Sequence, residues 1–391
     1  MRILLLAVAT LAGCGAASAP TVDAGPMPVS AIDFVATDQF TIVDSGGDHL
    51  AFPDVTRLAD GRILLVYRRG AQHVDPSGRL MKQFGSADAL TWGAAAVLYD
   101  EPGIDDRDPS VTTLANGDVV VDYFQYHTPA TNLTVHQTFF TRSTDNGATY
   151  SPLVELGQDA MNPAQPTLTA GVWVDALGNP IVVNASSSSV VELGGRLLAP
   201  IYGGHALNLA NLAAVPRSRV SLFTSDDRGG SFTRNVVAAD QATNRWLMEP
   251  ALLSLGGQRL LLQIRTADGA SPSSAGHLVQ ALSDDGGATW SAYQDLGFVG
   301  HAPELVALDN GVLISAFREL DDAFTAEWVS FMYSLDGGTT WSNRIRVIDC
   351  NAVECGYPGL LQLDGDRLLI VYYAPGGVSI DATIYHFTVT R

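Results

Sequence analysis

The apolar positions of this chain fall in short runs separated by polar, Gly-containing turns, a spacing that suits strands. One unit recurs: an apolar stretch, a Gly turn, a second apolar stretch ending near Arg or Tyr, a loop, a third strand, and a tight polar turn closed by an aromatic. Such a unit predicts four antiparallel strands. Its inner hairpins run from Val55 to Tyr67 turning at Asp60-Gly61, Ser110 to Tyr123 at Asn116-Gly117, and Val190 to Tyr202 at Gly194-Gly195. They continue from Ala251 to Arg265 at Gly256-Gly257, Leu305 to Arg318 at Asn310-Gly311, and Leu360 to Tyr373 at Asp364-Gly365. Two-residue turns of this chemistry favour hairpins. Six hairpins predict an all-β, six-bladed β-propeller of four-stranded antiparallel blades. After the last hairpin comes one strand, Ala382 to Thr390, and an extended segment, Phe40 to Asp44, precedes the first. The N-terminal strand is therefore expected to complete the sixth blade and close the ring.

The tight turns are Ser143–Tyr150, Ser225–Phe232, Ser283–Trp290 and Ser334–Trp341, each with Asp two places and Gly four places after the Ser. A shortened copy, Ser86–Trp92, keeps Asp88 and lacks the glycine. Asp and Ser can bond turn amides, Gly takes a φ other residues resist, and the aromatic tucks between layers. This S-x-D-x-G-x-x-W pattern resembles the Asp box of sialidases and related propellers. The resemblance implies a sialidase-like propeller over nearly all of residues 36–391.

Composition narrows the partners. With 47% hydrophobic and 16% charged residues, the 391-residue chain can bury a large core. Its net charge of −19 repels nucleic acid and anionic lipid head groups, so no nucleic-acid partner is expected. An acidic substrate needs a few arginines gathered in one pocket. Met1-Arg2 and the apolar run Ile3–Leu11 have the build of a secretory signal, too short to span a bilayer stably. Leu11-Ala12-Gly13-Cys14 resembles the bacterial lipobox. That resemblance implies a signal peptide over 1–13, acylation of Cys14, an Ala/Pro/Gly/Ser-rich tether over 14–35, and an exported lipoprotein held at a membrane by its lipid alone. The alternative is an ordinary cleaved signal with a chance cysteine. Cys350 and Cys355 are close enough to form a disulfide in an oxidising compartment, the alternative being two free thiols. No His or further Cys is spaced around them as zinc ligands are, and no cofactor or metal is implied. A monomer is expected.

With strands labelled A to D from the inside outward, antiparallel order places the A–B turns and the Asp boxes on one face, and the B–C and D–A connections on the other. Residues just before strand A or just after strand B then share one mouth: Asp54, Arg68, Arg69, His73, Asp75, Arg107, Asp108, Tyr202, His205, Glu249, Arg265, His301, Glu304, Arg318 and Tyr357. Arg, carboxylate, His and Tyr gathered in this way suit a polar active site. Taken singly, each also reads as a solvated strand end or a clamp between blades.

Two segments carry the most specific resemblance. Glu249–Arg265 resembles the sialidase stretch in which a glutamate precedes strand A and an arginine ends strand B, and Gly356–Tyr373 resembles the stretch carrying the catalytic tyrosine. The resemblance implies a retaining exo-sialidase in which Tyr357 attacks, Glu249 accepts its proton and Asp75 is the acid/base. Arg68, Arg265 and Arg318 would hold the substrate carboxylate. Ala51-Phe52-Pro53 stands where sialidases open with Arg-Ile-Pro, so the family's first arginine is absent there, with Arg68 or Arg69 as its substitute. Arg318 matches its family position approximately. Arg68–Asp75 and the Asp105–Pro109 segment, which adds Arg107 and Asp108 to the binding residues, resemble a divergent branch. A second reading is a hydrolase or lyase for a neutral or uronic sugar, using Glu249 or Glu304 with Asp75 or Asp108 and His73 or His301 as auxiliary base. A third is a non-catalytic propeller that binds glycan or protein.

Overall fold

The computed structural model describes residues 29–127, 135–156, 167–169, 172–174, 181–205, 219–238, 245–268 and 273–391. The signal segment, Cys14 and the tether up to residue 28 lie outside the described residues. The chain is all-β, its strands joined in antiparallel sheets. Strand β1 (Ala31–Asp44) precedes a four-stranded sheet of β2 (His49–Arg57), β3 (Ile63–Gly70), β4 (Arg79–Gly85) and β5 (Ala96–Tyr99). A second contains β6 (Asp105–Thr113), β7 (Val119–His127), β8 (Val135–Ser143) and β9 (Val154–Leu156). The small pair β10 (Thr167–Thr169) and β11 (Val172–Val174) follows. A third sheet joins β12 (Ile181–Ala185) and β13 (Val191–Leu193), both on β14 (Arg196–His205), to β15 (Arg219–Ser225) and β16 (Thr233–Ala238).

Next come β17 (Trp246–Ser254), β18 (Leu260–Ala267), β19 (His277–Ser283), β20 (Gln294–Ala307), β21 (Leu313–Leu320), β22 (Glu327–Ser334) and β23 (Ile345–Asp349) in one seven-stranded sheet. That sheet is two four-stranded units merged through β20, whose first half pairs with β19 and second half with β21. The last unit is β24 (Gly356–Gln362), β25 (Arg367–Tyr373) and β26 (Ser379–Thr390), completed by β1 on β26. Strand β1 begins at Ala31, inside the segment expected to be tether. The alternating side chains there have a face to fill: Ile32 is buried beside Leu308 and Phe387, and Phe34 meets Phe331 edge-on at 5.2 Å.

The Asp-box turns repeat one hydrogen-bond set. Ser143, Ser225, Ser283 and Ser334 donate to the Asp two places on at 2.7, 2.7, 2.9 and 2.8 Å. Each also accepts the amide of the following Gly at 2.9, 2.7, 2.9 and 2.9 Å. In the shortened copy Ala89 takes the left-handed conformation, at φ 64°. The closing aromatics sit in the seams between units: Tyr150 with Leu64 and Val119, Phe232 with Phe140, Trp290 with Leu222 and Leu260, Trp341 with Leu261 and Leu313, Trp92 with Leu369. Each such apolar cluster joins two successive units, and one joins the last to the first through Leu65, Leu369 and Ile384. At about 1.5–3 kcal/mol for a fully buried large apolar side chain, these seams are the main cohesive force of the fold.

One irregularity positions the chemistry. The first strand of five units is bulged at an X-Pro step: register shifts occur between Ala51 and Asp54, Arg107 and Ser110, Met248 and Pro250, His301 and Glu304, and Gly356 and Gly359. The residue before each proline is left-handed: Phe52 at φ 56°, Asp108 at 48°, Glu249 at 44°, Ala302 at 45° and Tyr357 at 46°. Proline has no N–H to give to the ladder, so the bulge costs no hydrogen bond there, while the backbone turns one side chain out of register. The third unit instead interrupts its first strand between β12 and β13, at Ser186–Val190.

Candidate active site

The bulges bring the X positions together where the first strands pack, β2 against β6 and β24, β17 against β14 and β20, and β20 against β24. Phe52, Asp108, Ala302 and Tyr357, their prolines, Asp54, Ser110, Ser187 and Glu304 line a cavity of about 20 Å³, enough for about one water. Beside it the Tyr357 hydroxyl donates to Glu249 Oε1 at 2.9 Å. Arg265 Nη1 donates to the same oxygen at 2.5 Å, and the Ala302 amide to Oε2 at 2.8 Å. Glu249 is thus fixed by three donors, from β18, β20 and β24. Burial, reinforced by the Glu249 charge, pushes the Tyr357 hydroxyl well above its ordinary value, so it stays a phenol at neutral pH. Phe52 meets the Tyr357 ring edge-on at 4.8 Å.

Arg107 lies with its guanidinium 4.9 Å from the Phe52 ring centre, and donates to the His73 carbonyl at 2.8 Å and to Asp105 at 3.2 Å. Its neighbour Asp108 is buried. Desolvation, opposed by Arg107 and reinforced by Glu249, lifts that carboxyl to about 7, and its Oδ1 has no hydrogen-bond partner among the described residues. Arg318 makes a two-nitrogen contact with Glu327 Oε2 at 3.0 and 2.7 Å and approaches Glu354 at 3.7 Å. His301 is buried with Nε2 unpartnered among the described residues. Desolvation, helped by Arg265 and Arg318, keeps its ring neutral.

Other predicted site residues sit elsewhere. Arg68 is completely buried, bonded to Asp105 at 2.7 Å and to the Gln72 carbonyl at 2.9 Å, so it braces the β3–β4 loop and has no surface to offer a substrate. Arg69 turns away to Asp48 and the Ser45 carbonyl. The Asp75 carboxylate accepts the Ser77 amide at 2.9 Å, and its bonds to Ser77 hold it below the usual range, the opposite of what a proton donor at neutral pH needs. Asp54 accepts the Val55 and Val111 amides at 2.7 Å each and the Ser189 hydroxyl at 2.8 Å, so it ties three units together. Glu304, raised by burial and by Asp54, lines the small cavity. Cys350 and Cys355 are joined in a disulfide with their Cα atoms 6.0 Å apart. The signal that marks the mouth more sharply than strand ends do is the recurring X-Pro dipeptide: Phe52-Pro53, Asp108-Pro109, Glu249-Pro250, Ala302-Pro303 and Tyr357-Pro358.

Among the described residues, His49, His73 and Glu354 have donor atoms close enough to surround a metal ion, all within 4.8 Å of one another. The hydrogen bonds disfavour one. Arg107 Nη2 lies 3.2 Å from His73 Nε2, and a guanidinium can only donate, so Nε2 is an acceptor. A neutral ring then carries its proton on Nδ1, the nitrogen that would face the metal.

A sequence profile described as a BNR repeat-like domain matches residues 86–370. No protein of curated function matches in sequence. Solved structures share the fold. A protein of unknown function from Dyadobacter fermentans is 21% identical, with a TM-score of 0.71 over 91% of this chain and 99% of that one. The NanB sialidase of Streptococcus pneumoniae is 10% identical, with a TM-score of 0.60 over 89% and 70%. The α-L-arabinanase of Penicillium chrysogenum, solved with arabinobiose, is 14% identical, with a TM-score of 0.62 over 90% and 98%. The match covers well over half of the chain, and with four intact Asp-box turns in place the protein belongs to the BNR repeat-like family, within the sialidase-like Asp-box superfamily.

Proposed function

We propose that this protein is a retaining exo-glycosidase that releases a terminal acidic sugar, sialic acid first, and that its six four-stranded units are the blades of one propeller. The cyclic order of the apolar seams supports the propeller. The observation that carries the activity is the 2.9 Å bond from the Tyr357 hydroxyl to Glu249. A neutral phenol approaches an anomeric carbon flanked by a carboxylate without the repulsion an anionic nucleophile meets. Glu249 takes the phenol proton as the Tyr357 oxygen bonds to the anomeric carbon, and Asp108 gives its proton to the departing glycosidic oxygen. Water, deprotonated by Asp108, then attacks the same carbon. The tyrosine oxygen leaves and recovers its proton from Glu249. Asp108 replaces Asp75 as donor in this scheme because its carboxyl is lifted to about 7 whereas that of Asp75 is lowered.

Arg107, Arg265 and Arg318 each interact electrostatically with Tyr357, and we assign them the substrate carboxylate. Arg107 stands in for the arginine that Ala51 replaces, since its guanidinium lies over the Phe52 ring beside Tyr357 whereas that of Arg68 is turned into the β3–β4 loop. Release of sialic acid from a fluorogenic ketoside, absent in Tyr357→Phe, is the expected result. A second reading, cleavage of a neutral sugar by Asp108 and Glu249 alone, is favoured by the protein carboxylate that each of these arginines already faces. Turnover of neutral aryl glycosides but not of the sialoside would select it. We place the mature chain outside the cytoplasm, anchored through an acylated Cys14, on the strength of the lipobox resemblance.

A further inference from the structure

A second cavity opens where the fourth unit meets the β21–β22 turn of the fifth. It holds about 250 Å³, against about 20 Å³ beside Tyr357, and its lining includes Arg245, Asp268, His277, Asp295, Val299 and Asp322. Four of these stand on or beside the strands that carry the mouth: Arg245 precedes Glu249 by four residues, Asp268 follows Arg265 by three, Val299 precedes His301 by two and Asp322 follows Arg318 by four. At about 3.3 Å per residue, the cavity lies on the order of 10 Å from the mouth, on the same face. Its walls are held by their own bonds. Arg245 Nε donates to Asp268 Oδ1 at 2.8 Å, and His277 Nδ1 lies 2.9 Å from Asp295 Oδ1. The Asp268 amide reaches the Ala275 carbonyl at 3.1 Å, and the Thr266 hydroxyl reaches the His277 carbonyl at 2.7 Å. Asp322 rides on a turn in which Asp321 accepts the Thr325 amide and hydroxyl at 2.6 Å each, and Phe324 in that turn is left-handed at φ 56°. The Phe324 ring is 5.9 Å from that of His301, so one rigid turn touches both the cavity and the mouth.

We infer that this cavity is a subsite for a neutral, hydroxyl-rich sugar joined to the one cleaved at Tyr357, so that the substrate is an acidic sugar capping a neutral oligosaccharide. The link to cleavage rests on the glycosidase reading, and sugar binding in the cavity does not. Carboxylates accept charge-assisted bonds from sugar hydroxyls, and each has about four lone-pair positions to offer. The side chains of Asp268 and Asp295 remain 54% and 57% exposed, so their ion pairs leave room for a ligand. Buried Val299 supplies an apolar floor for the C–H face of a ring. Three aspartates against one arginine and one histidine make the cavity acidic, and it repels a second acidic sugar. A chain therefore docks in one direction, with its acidic end toward Arg107, Arg265 and Arg318. The aspartates are spread out as hydrogen-bond acceptors and do not form a cation site: among the described residues only His49, His73 and Glu354 bring three donor atoms within 4.8 Å of one another.

The test takes the full-length protein and two probes, lactose and glucuronate, with the His277 imidazole followed by proton–nitrogen NMR. Millimolar lactose should shift the His277 resonances of the wild type, and glucuronate should leave them in place. Asp322→Ala and Asp268→Ala should lose the lactose response. Asp322 is exposed and bonded to nothing among the described residues, so its truncation leaves the fold intact. On sialyllactose Asp322→Ala should raise KM roughly tenfold with kcat nearly unchanged, the mark of a lost binding contact. On an aryl sialoside, which ends short of the cavity, the same variant should match the wild type. No shift with lactose, an equal shift with glucuronate, or the same KM change on both sialosides would overturn the subsite. If lactose shifts His277 while neither sialoside turns over, the subsite stands and the acidic-sugar reading falls.

Discussion

Replacing Tyr357 by Phe removes one oxygen from a site whose other bonds remain. Glu249 keeps Arg265 and the Ala302 amide, so its carboxylate is not orphaned, and the ring keeps its edge contact with Phe52. The stability lost is that of one hydrogen bond to a charged group, about 1.5–3 kcal/mol. For a chain of this size that corresponds to a Tm shift of about 10 °C or less. Turnover should fall on the order of 10³-fold or more, because the nucleophile is gone. Glu249→Gln keeps the volume and an oxygen for Arg265 and loses the base, for a drop of about 10²–10⁴-fold. Were the two groups independent, the double variant would show the product of the two losses. As partners in one proton transfer they should give a double variant little worse than the worse single. The assay is steady-state release from an activated glycoside alongside a thermal melt, with a fluorinated substrate to trap the adduct on Tyr357. A Tyr357→Phe enzyme turning over at the wild-type rate, or losses that multiply, would refute the tyrosine mechanism.

Asp108 is lifted from 3.8 to about 7, so the folded chain holds a proton there that the unfolded chain releases between about pH 4 and 7. The stability this contributes is lost as pH rises through that window. Asp108→Asn should flatten the fall of Tm across it, leaving the part due to the other raised carboxyls, Asp54, Asp106, Asp122, Glu304 and Glu354, and should remove the decline of kcat/KM above about pH 7; an unchanged slope would contradict the assignment. Gly229→Ala should destabilise the protein by about 2–4 kcal/mol in denaturant unfolding, since the added Cβ meets the Phe140 ring at a left-handed φ of 89°. Cys14→Ser should abolish palmitate labelling and partition into detergent, and a variant that still labels fully would end the lipoprotein reading.

What was legible in the chain is what is decided within a few residues. The Asp-Gly and Asn-Gly turns and the Ser-Asp-Gly boxes contain their own hydrogen-bond partners, so each hairpin announces itself. The pairing of β1 with β26 was visible from Phe40 to Asp44, although the strand starts at Ala31 because a distant seam receives Ile32 and Phe34. Strand order was enough to put Glu249, Arg265 and Tyr357 on one mouth, and their bonding to one another emerges from the bulges. The roles of Arg68 and Asp75 were not legible. Both lie at the expected strand end and loop; Arg68 and Arg107 share Asp105, and what separates Arg68 is its bond to the Gln72 carbonyl inside the β3–β4 loop, where Arg107 lies over the Phe52 ring, while a local turn with Ser77 separates Asp75 from Asp108. Likewise nothing between Cys350 and Cys355 announces that Glu354 faces a histidine almost three hundred residues earlier.

The X-Pro bulges have an evolutionary consequence. At each of them the backbone, and not the side chain, sets the outward direction, and the proline that follows keeps the strand from regaining regular register. The five positions therefore act as sockets in one frame, which a single substitution can refill without redrawing the sheet. Phe52 and Tyr357 fill theirs with rings and Asp108 and Glu249 with carboxylates, while Ala302 leaves its own almost bare. A chain so built can change the chemistry lining this cavity one socket at a time while the strands that frame it stay in place.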